Sequence, residues 1–227
     1  MQILELWERA VGLDRWRRDD ALLASRRDVP KALGARNAAL LEIRNRLFAR
    51  TWPFKSCCPR CGLACEFEID GVALADEIGG LEIVRSAHFE WAGRAVVARP
   101  PTSDDLKAVA SCADTGHAVA ALLARCVTGN VELSTVSDAE FEEIGRRLEG
   151  LDPSAAISFA LVCPACRAQW SAAVDVGDAL WAELKRAAEQ SLVEVDALAR
   201  VYGWTEAEIM QLSPTRRAAY LQLAEGS

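Results

Sequence analysis

Cys58-Pro59-Arg60-Cys61-Gly62 and, far downstream, Cys163-Pro164-Ala165-Cys166 decide how this chain folds. A structural zinc ion takes four soft ligands in a tetrahedron, and two C-x-x-C turns on separate hairpins supply four thiolates with the right reach. Proline after the first cysteine and glycine after the second suit a tight turn whose backbone amides point at the sulfurs. The second unit keeps the proline but carries Arg167 where the first has Gly62, and that cation can offset the negative charge of a four-thiolate centre. The long spacer is no obstacle. Loop-closure entropy grows only logarithmically, so lengthening a spacer from roughly 15 to roughly 100 residues costs about 1.7 kcal/mol, whereas structural zinc contributes on the order of 10 kcal/mol or more.

Outward from each knuckle the residues alternate with the period of a half-buried strand. Trp52-Pro53-Phe54-Lys55-Ser56 leads into the first unit, and Phe67 and Ile69 alternate with Glu66, Glu68 and Asp70 on the way out. Ile157, Phe159 and Leu161 lead into the second, and Trp170, Ala172, Val174 and Val176 leave it. The chain thus builds the same hairpin twice. A thioredoxin-like redox pair sits between a strand and a helix, so this setting favours zinc held by Cys58, Cys61, Cys163 and Cys166 over a redox dithiol. Cys57 and Cys65 flank the first knuckle and read as strand residues, although either could substitute for a ligand. Cys112 and Cys126, on predicted helices, read as small core residues.

The rest is mostly helical. Ile3, Leu6, Trp7, Ala10 and Val11 recur at helical spacing, a helix from Trp16 to Ser25 follows, and Ala38 to Phe48 puts Leu40, Ile43 and Leu47 on one face with Arg36, Glu42, Arg44 and Arg46 elsewhere. Between the knuckles, Ile83 and Phe89 read as one strand, Ala92-Gly93-Arg94 as a turn and Val96-Val97 as the return strand. Thr102, Ser103 and Asp104 can cap a helix, another covers about 118 to 127, and Ser137 with Glu140 has capping-box spacing for a helix from Asp138 to about Leu148. After the second hairpin, Trp181, Leu184, Ala188, Leu192, Val195, Leu198 and Tyr202 trace a long apolar stripe that Gly203 stops. Thr205 with Glu208, and Ser213-Pro214, start the last two helices. The expected fold is α+β: a zinc-ribbon-like pair of β-hairpins (51–71 and 155–177) with a long α/β insertion (72–154), flanked by an N-terminal helical segment (1–50) and a C-terminal one (178–227), in one compact unit.

Composition narrows the function. The 227 residues are 51% hydrophobic and 26% charged, with a formal charge of −7; a four-thiolate zinc site lowers that to about −9, the wrong direction for phosphate contact. A zinc-ribbon nucleic-acid-binding or regulatory protein is therefore the alternative and not the first reading. Acids inside the first apolar stretch argue against an export signal, and the apolar runs are too short to cross a bilayer, so a cytoplasmic protein is expected. Four cysteines would close the metal shell, the two histidines, His88 and His117, stand apart, and no phosphate loop, nucleophile elbow or paired-carboxylate motif is visible. No enzymatic activity and no small-molecule substrate are expected.

The ending Ala197-Leu198-Ala199-Arg200-Val201-Tyr202-Gly203-Trp204-Thr205-Glu206-Ala207-Glu208-Ile209, then Leu212-Ser213-Pro214 and Arg216-Arg217-Ala218-Ala219-Tyr220-Leu221, resembles the baseplate hub assembly proteins of T-even-type phage tails, in the bacterial branch found with phage-like contractile injection systems. The likeness extends to Leu4-Glu5-Leu6-Trp7-Glu8-Arg9-Ala10, Leu33-Gly34-Ala35-Arg36-Asn37, both knuckles, and Arg99-Pro100-Pro101-Thr102-Ser103-Asp104-Asp105-Leu106. The tyrosine-glycine-tryptophan ending is its most specific part. Phage members need not carry the cysteines. The resemblance implies a non-enzymatic chaperone or component of the baseplate, with hub, baseplate or spike proteins as partners and possible incorporation into the assembled particle. Tyr202, Trp204 and Tyr220 are candidate partner contacts; the same rings could equally pin the last helices to the core.

Overall fold

The computed structural model describes residues 3–91, 93–129 and 136–225. Three helices open it: α1 (Ile3–Ala10), α2 (Arg15–Leu23) and α3 (Leu33–Leu47). Asp14 accepts from the amides of Trp16 and Arg17 and so starts α2. Helix α3 begins upstream of the Ala38 start that its apolar spacing suggests, and its first turns are tied through Gly34 and Asn37 to Asp152 and Ser154 on the chain entering the second hairpin.

The first hairpin pairs β1 (Thr51–Cys57) with β2 (Ala64–Asp70), antiparallel, with Phe54 opposite Phe67 and Cys57 opposite Ala64. Pro53 is tolerated because a two-stranded sheet is all edge, and a proline there need not cost a ladder bond. Asp70 ends β2 and also caps α4 (Gly71–Gly79), accepting from Val72 and Ala73 amides. The insertion continues with a three-stranded antiparallel sheet, β3 (Ala87–Trp91), β4 (Arg94–Ala98) and the short β5 (Val127–Thr128), and with α5 (Ser103–Val109), α6 (Thr115–Cys126) and α7 (Asp138–Leu151). Capping boxes at Thr102/Asp105 and Ser137/Glu140 start α5 and α7. The second hairpin pairs β6 (Ile157–Val162) with β7 (Gln169–Val174). Then come α8 (Val176–Tyr202), α9 (Glu206–Gln211) and α10 (Pro214–Glu225). Gly203, at φ 68°, ends α8 in the left-handed conformation glycine adopts without penalty.

The α+β architecture of two hairpins between helical ends matches the sequence reading. Both hairpins sit on one core: Leu6, Leu22, Leu23, Leu40, Leu41 and Ile43 of the opening helices meet Trp52, Ile69, Ile157, Val176, Leu180 and Leu184. Phe67 bridges the hairpins, 5.6 Å from Phe54 and 6.1 Å from Phe159 between ring centroids. A second cluster inside the insertion gathers Trp91, Val96, Ala98, Leu123, Cys126, Ile144, Leu148 and Leu151. Among the described residues no helix is long and apolar enough to cross a membrane.

Several local expectations need correcting. Ile83 lies outside β3, in irregular chain whose backbone is tied to α7 through the Val84 amide and Leu151 carbonyl. Val176 opens α8 instead of extending β7, since Asp175 caps the helix at that point. Cys112 falls just beyond α5 and not on a helix, while Cys126 ends α6 and is buried. Leu192 on the α8 stripe is 39% exposed. Ala92, part of the expected turn, lies outside the described residues. The largest departure concerns Arg36 and Arg44, which are buried rather than solvated.

Arg44 holds the base of the first hairpin. Its guanidinium is fully buried, donates from Nε and Nη2 to the Glu183 carboxylate at 3.0 and 3.1 Å, donates to the Thr51 carbonyl at 3.1 Å, and lies 4.8 Å from the Trp52 ring centroid. One side chain thereby joins α3, β1 and α8. The second hairpin is anchored similarly: the Gly34 amide donates to buried Asp152 at 2.9 Å, and Asn37 Nδ2 donates to the Ser154 carbonyl at 2.8 Å. A Cβ on residue 34 would stand 2.1 Å from Asp152 Oδ1, so only glycine admits the carboxylate. With both bases fixed to α3, the two tips project side by side.

Candidate metal centre

The two knuckles are built alike. In the first, the Cys58 amide donates to the Leu63 carbonyl at 2.9 Å and the Gly62 amide to the Cys58 carbonyl at 2.9 Å; in the second, the Cys163 amide donates to Ala168 at 2.9 Å and the Arg167 amide to Cys163 at 3.0 Å. Gly62 and Arg167 therefore occupy the same position, and both are left-handed, at φ 74° and 60°. Trp170 Nε1 donates to Ser56 Oγ at 3.1 Å and ties the hairpins together just below their tips.

The sulfurs of Cys58, Cys61, Cys163 and Cys166 lie within 4.8 Å of one another. Cys58 and Cys166 approach to 3.6 Å, as do Cys61 and Cys163. Four thiolates about 2.3 Å from a zinc ion at the centre of a tetrahedron stand about 3.8 Å apart, so the donor set fits the ion in number, chemistry and spacing. These four cysteines form a site suited to structural zinc, two ligands from each hairpin. Cys58 and Cys61 from one hairpin and Cys163 and Cys166 from the other would hold the ion, which would cross-link the two tips and leave a centre of net charge about −2.

The surrounding backbone favours thiolates. Amides of Cys166 and Ala165 point at the Cys163 sulfur and outweigh its burial, holding its pKa down to about 6. Burial pushes the Cys58 thiol up, but the Cys61 and Arg60 amides more than offset it and leave the pKa lowered. The Ala168 amide draws Cys166 down, yet burial and the neighbouring sulfurs prevail and raise it to about 12. In the metal-free cluster protons are thus shared unevenly, as they must be where like charges crowd. Cys58, Cys61, Cys163 and Cys166 would give up their remaining protons on taking a divalent cation, so metal binding would be linked to pH.

The remaining cysteines separate clearly. Cys57 opposes Ala64 and is exposed, whereas Cys65 opposes Ser56 and is half-buried on the face turned toward the second hairpin. Burial and the nearby Cys163 sulfur raise the Cys65 thiol, in keeping with a protonated neighbour of the cluster. Cys126, pushed up to about 11 by burial, belongs to the insertion core.

No family model, curated protein or solved structure matches this chain.

The sequence also singled out Tyr202, Trp204 and Tyr220, and these three meet in a cluster of their own. Tyr202 stacks on Trp204 with centroids 4.6 Å apart, Tyr220 packs edge-on to Trp204 at 4.9 Å, and the Tyr202 hydroxyl donates to the Tyr220 carbonyl at 3.2 Å. All three are half-buried, so they join α10 to the end of α8 while keeping part of each ring at the surface. Arg44, Trp170 and Ser56, which set the tips in register, escaped sequence reasoning: a helical arginine and a strand serine carry no signal that they will face inward.

Proposed function

We propose that this chain is a non-enzymatic assembly factor or component of a phage-tail-like contractile injection system, acting in the cytoplasm on hub, baseplate or spike proteins. The observation that carries the reading is the four-sulfur cluster. All four donors of the shell are protein thiolates, which serves structural zinc and leaves no ligand position for reacting water. The cluster clamps two distant segments onto a shared core to which α8 contributes Val176, Leu180 and Leu184, and the Tyr202, Trp204 and Tyr220 rings join α10 to the end of that helix. Such a frame presents surfaces; it does not assemble a reaction centre. The resemblance of the C-terminal run, the opening helix and the 99–106 segment to hub assembly proteins supplies the choice of partner.

Co-expression with the hub, spike and baseplate proteins of a contractile injection system tests the proposal. Stable co-elution of this chain with at least one of them is the expected result. If it elutes alone from every combination, the reading fails.

A further inference from the structure

Asp19, on α2, is a carboxylate set apart from its neighbours. The residue is 6% exposed, and its Oδ1 is buried without a hydrogen-bond partner, as is Arg18 Nε, which stands 3.8 Å from it, too far to donate. The carboxyl group borders a cavity of about 70 Å³ whose apolar wall includes Leu33, Leu40, Leu106 and Ala155. The first turn of α8 closes on the same group: a Cβ on residue 177 would stand 2.7 and 2.8 Å from the two Asp19 oxygens, so the approach is open only to Gly177.

The polar groups around Asp19 are engaged elsewhere. On α2, Arg15 pairs with Asp175, the cap of α8, and Arg18 pairs with Asp178 in the first turn of that helix. On α3, Arg36 donates from Nη1 to the Pro30 carbonyl at 3.2 Å and places Nη2 2.8 Å from Asp20, while Asn37 Nδ2 donates to the Ser154 and Ala155 carbonyls. On α5, Lys107 donates to Asp20 at 2.9 Å. Asp19 therefore feels the fields of three arginines but has the hydrogen bond of none of them among the described residues.

The next residue shows what such bonds do. Burial would raise the Asp20 pKa, but hydrogen bonds from Lys107 and Arg36 outweigh it and hold that carboxyl below its ordinary value. At Asp19 burial prevails over the fields of Arg18, Arg36 and Arg15, the like charge of Asp178 adds to it, and the pKa is pushed up.

We propose that Asp19 is a proton-operated latch between α2 and the first turn of α8: the joint holds a buried charge that no hydrogen bond serves, and a proton taken from solvent removes that charge and tightens the joint as pH falls below neutral. With the folded-state pKa above the unfolded one, the folded chain binds the extra proton in the window between them. The stabilisation from Asp19 therefore grows as pH falls through the folded value and is complete below the unfolded value of about 3.9. The latch belongs to the fold and does not depend on which partner the chain meets.

Two measurements on the zinc-loaded full chain test it. Carbon-detected NMR of the wild-type protein, from neutral pH down to about the ordinary carboxylate value, follows the Asp19 carboxyl carbon, assigned through its own backbone amide. Urea unfolding of the wild type and of Asp19→Asn over the same range gives the second reading, in which the pH dependence of the zinc site, common to both proteins, cancels. Asp19 should titrate above about 3.9, and the wild type should gain on the variant as pH falls, by about tenfold in the folding equilibrium for each pH unit of that displacement. A carboxyl that titrates at or below the ordinary value overturns the proposal whether or not the variant folds. So does a stability difference that stays constant with pH, the mark of a lost packing contact alone, or one that moves against the wild type on acidification.

Discussion

The sulfurs of Cys61 and Cys163 stand 3.6 Å apart although 102 positions separate them along the chain. Nothing local brings them together. The approach depends on α3, which holds the base of one hairpin through Arg44 and the entrance to the other through Gly34 and Asn37, and on the aromatic contact between Phe67 and Phe159. The metal completes an arrangement that packing has already brought close, so disturbing either the packing or the ligands should act on the same junction.

Cys163→Ser removes a fully buried ligand. The variant should lose its zinc and several kcal/mol of stability, less than an isolated zinc finger would lose, because the helical core survives. Chemical denaturation followed by the amide resonances of the two hairpins, beside zinc content, checks this: the hairpin signals should be lost early while most helical ellipticity persists.

Arg44→Ala should cost about 3–5 kcal/mol, since it removes a fully buried guanidinium and leaves the Glu183 carboxylate and the Thr51 carbonyl without their donor. Glu183 remains 19% exposed at its side chain, so Glu183→Gln, which keeps hydrogen-bonding capacity, should cost less. Urea midpoints of the two variants give the ranking; equal, small effects would show that the pair is incidental.

Gly34→Ala should cost roughly 2–3 kcal/mol, because overpacking here drives a methyl group into Asp152 and Ser154, both buried. The measurement is thermal unfolding, and zinc affinity should fall with it, since the second hairpin is anchored at this contact.

Asp105 governs part of the acid limb. Burial alone would raise its pKa, but hydrogen bonds from Arg99 and Thr102 outweigh burial and hold it well below the ordinary carboxylate value. Its folded pKa being depressed, the stabilisation is complete above the unfolded value of about 3.9 and is lost as pH falls below that toward the folded value. Asp105→Asn should cost about 2–3 kcal/mol at pH 7 and flatten the stability profile below about pH 4. An unaltered acid limb in the variant would contradict this assignment.

Much of this was legible in the chain itself, for identifiable reasons. The knuckles, the capping boxes at Ser137 and Thr205 and the stop at Gly203 are short-range patterns whose chemistry is complete within a few residues. The two hairpins were readable because alternation survives where one strand face is buried. The buried arginines were not: a charge on an amphipathic helix is ordinarily solvated, and what buries Arg44 is a glutamate 139 positions away. Helix α4 was missed because its spacing, Leu74 to Ile78, is only one turn of apolar contact, and its start rests on Asp70, which also ends a strand. The separate core of the insertion depends on Trp91 and Ile144 joining one cluster although they lie far apart in sequence, which periodicity alone does not encode.

The central claim is that one metal ion, held by Cys58, Cys61, Cys163 and Cys166, joins the two tips. Zinc content of gently purified protein, measured beside the reactivity of its eight cysteines toward a thiol reagent, tests it most directly. The account predicts one zinc per chain and those four thiols protected until a chelator is added, when all four become reactive together. Protein that holds no stoichiometric zinc, or whose four knuckle thiols react as freely as Cys57, would contradict it.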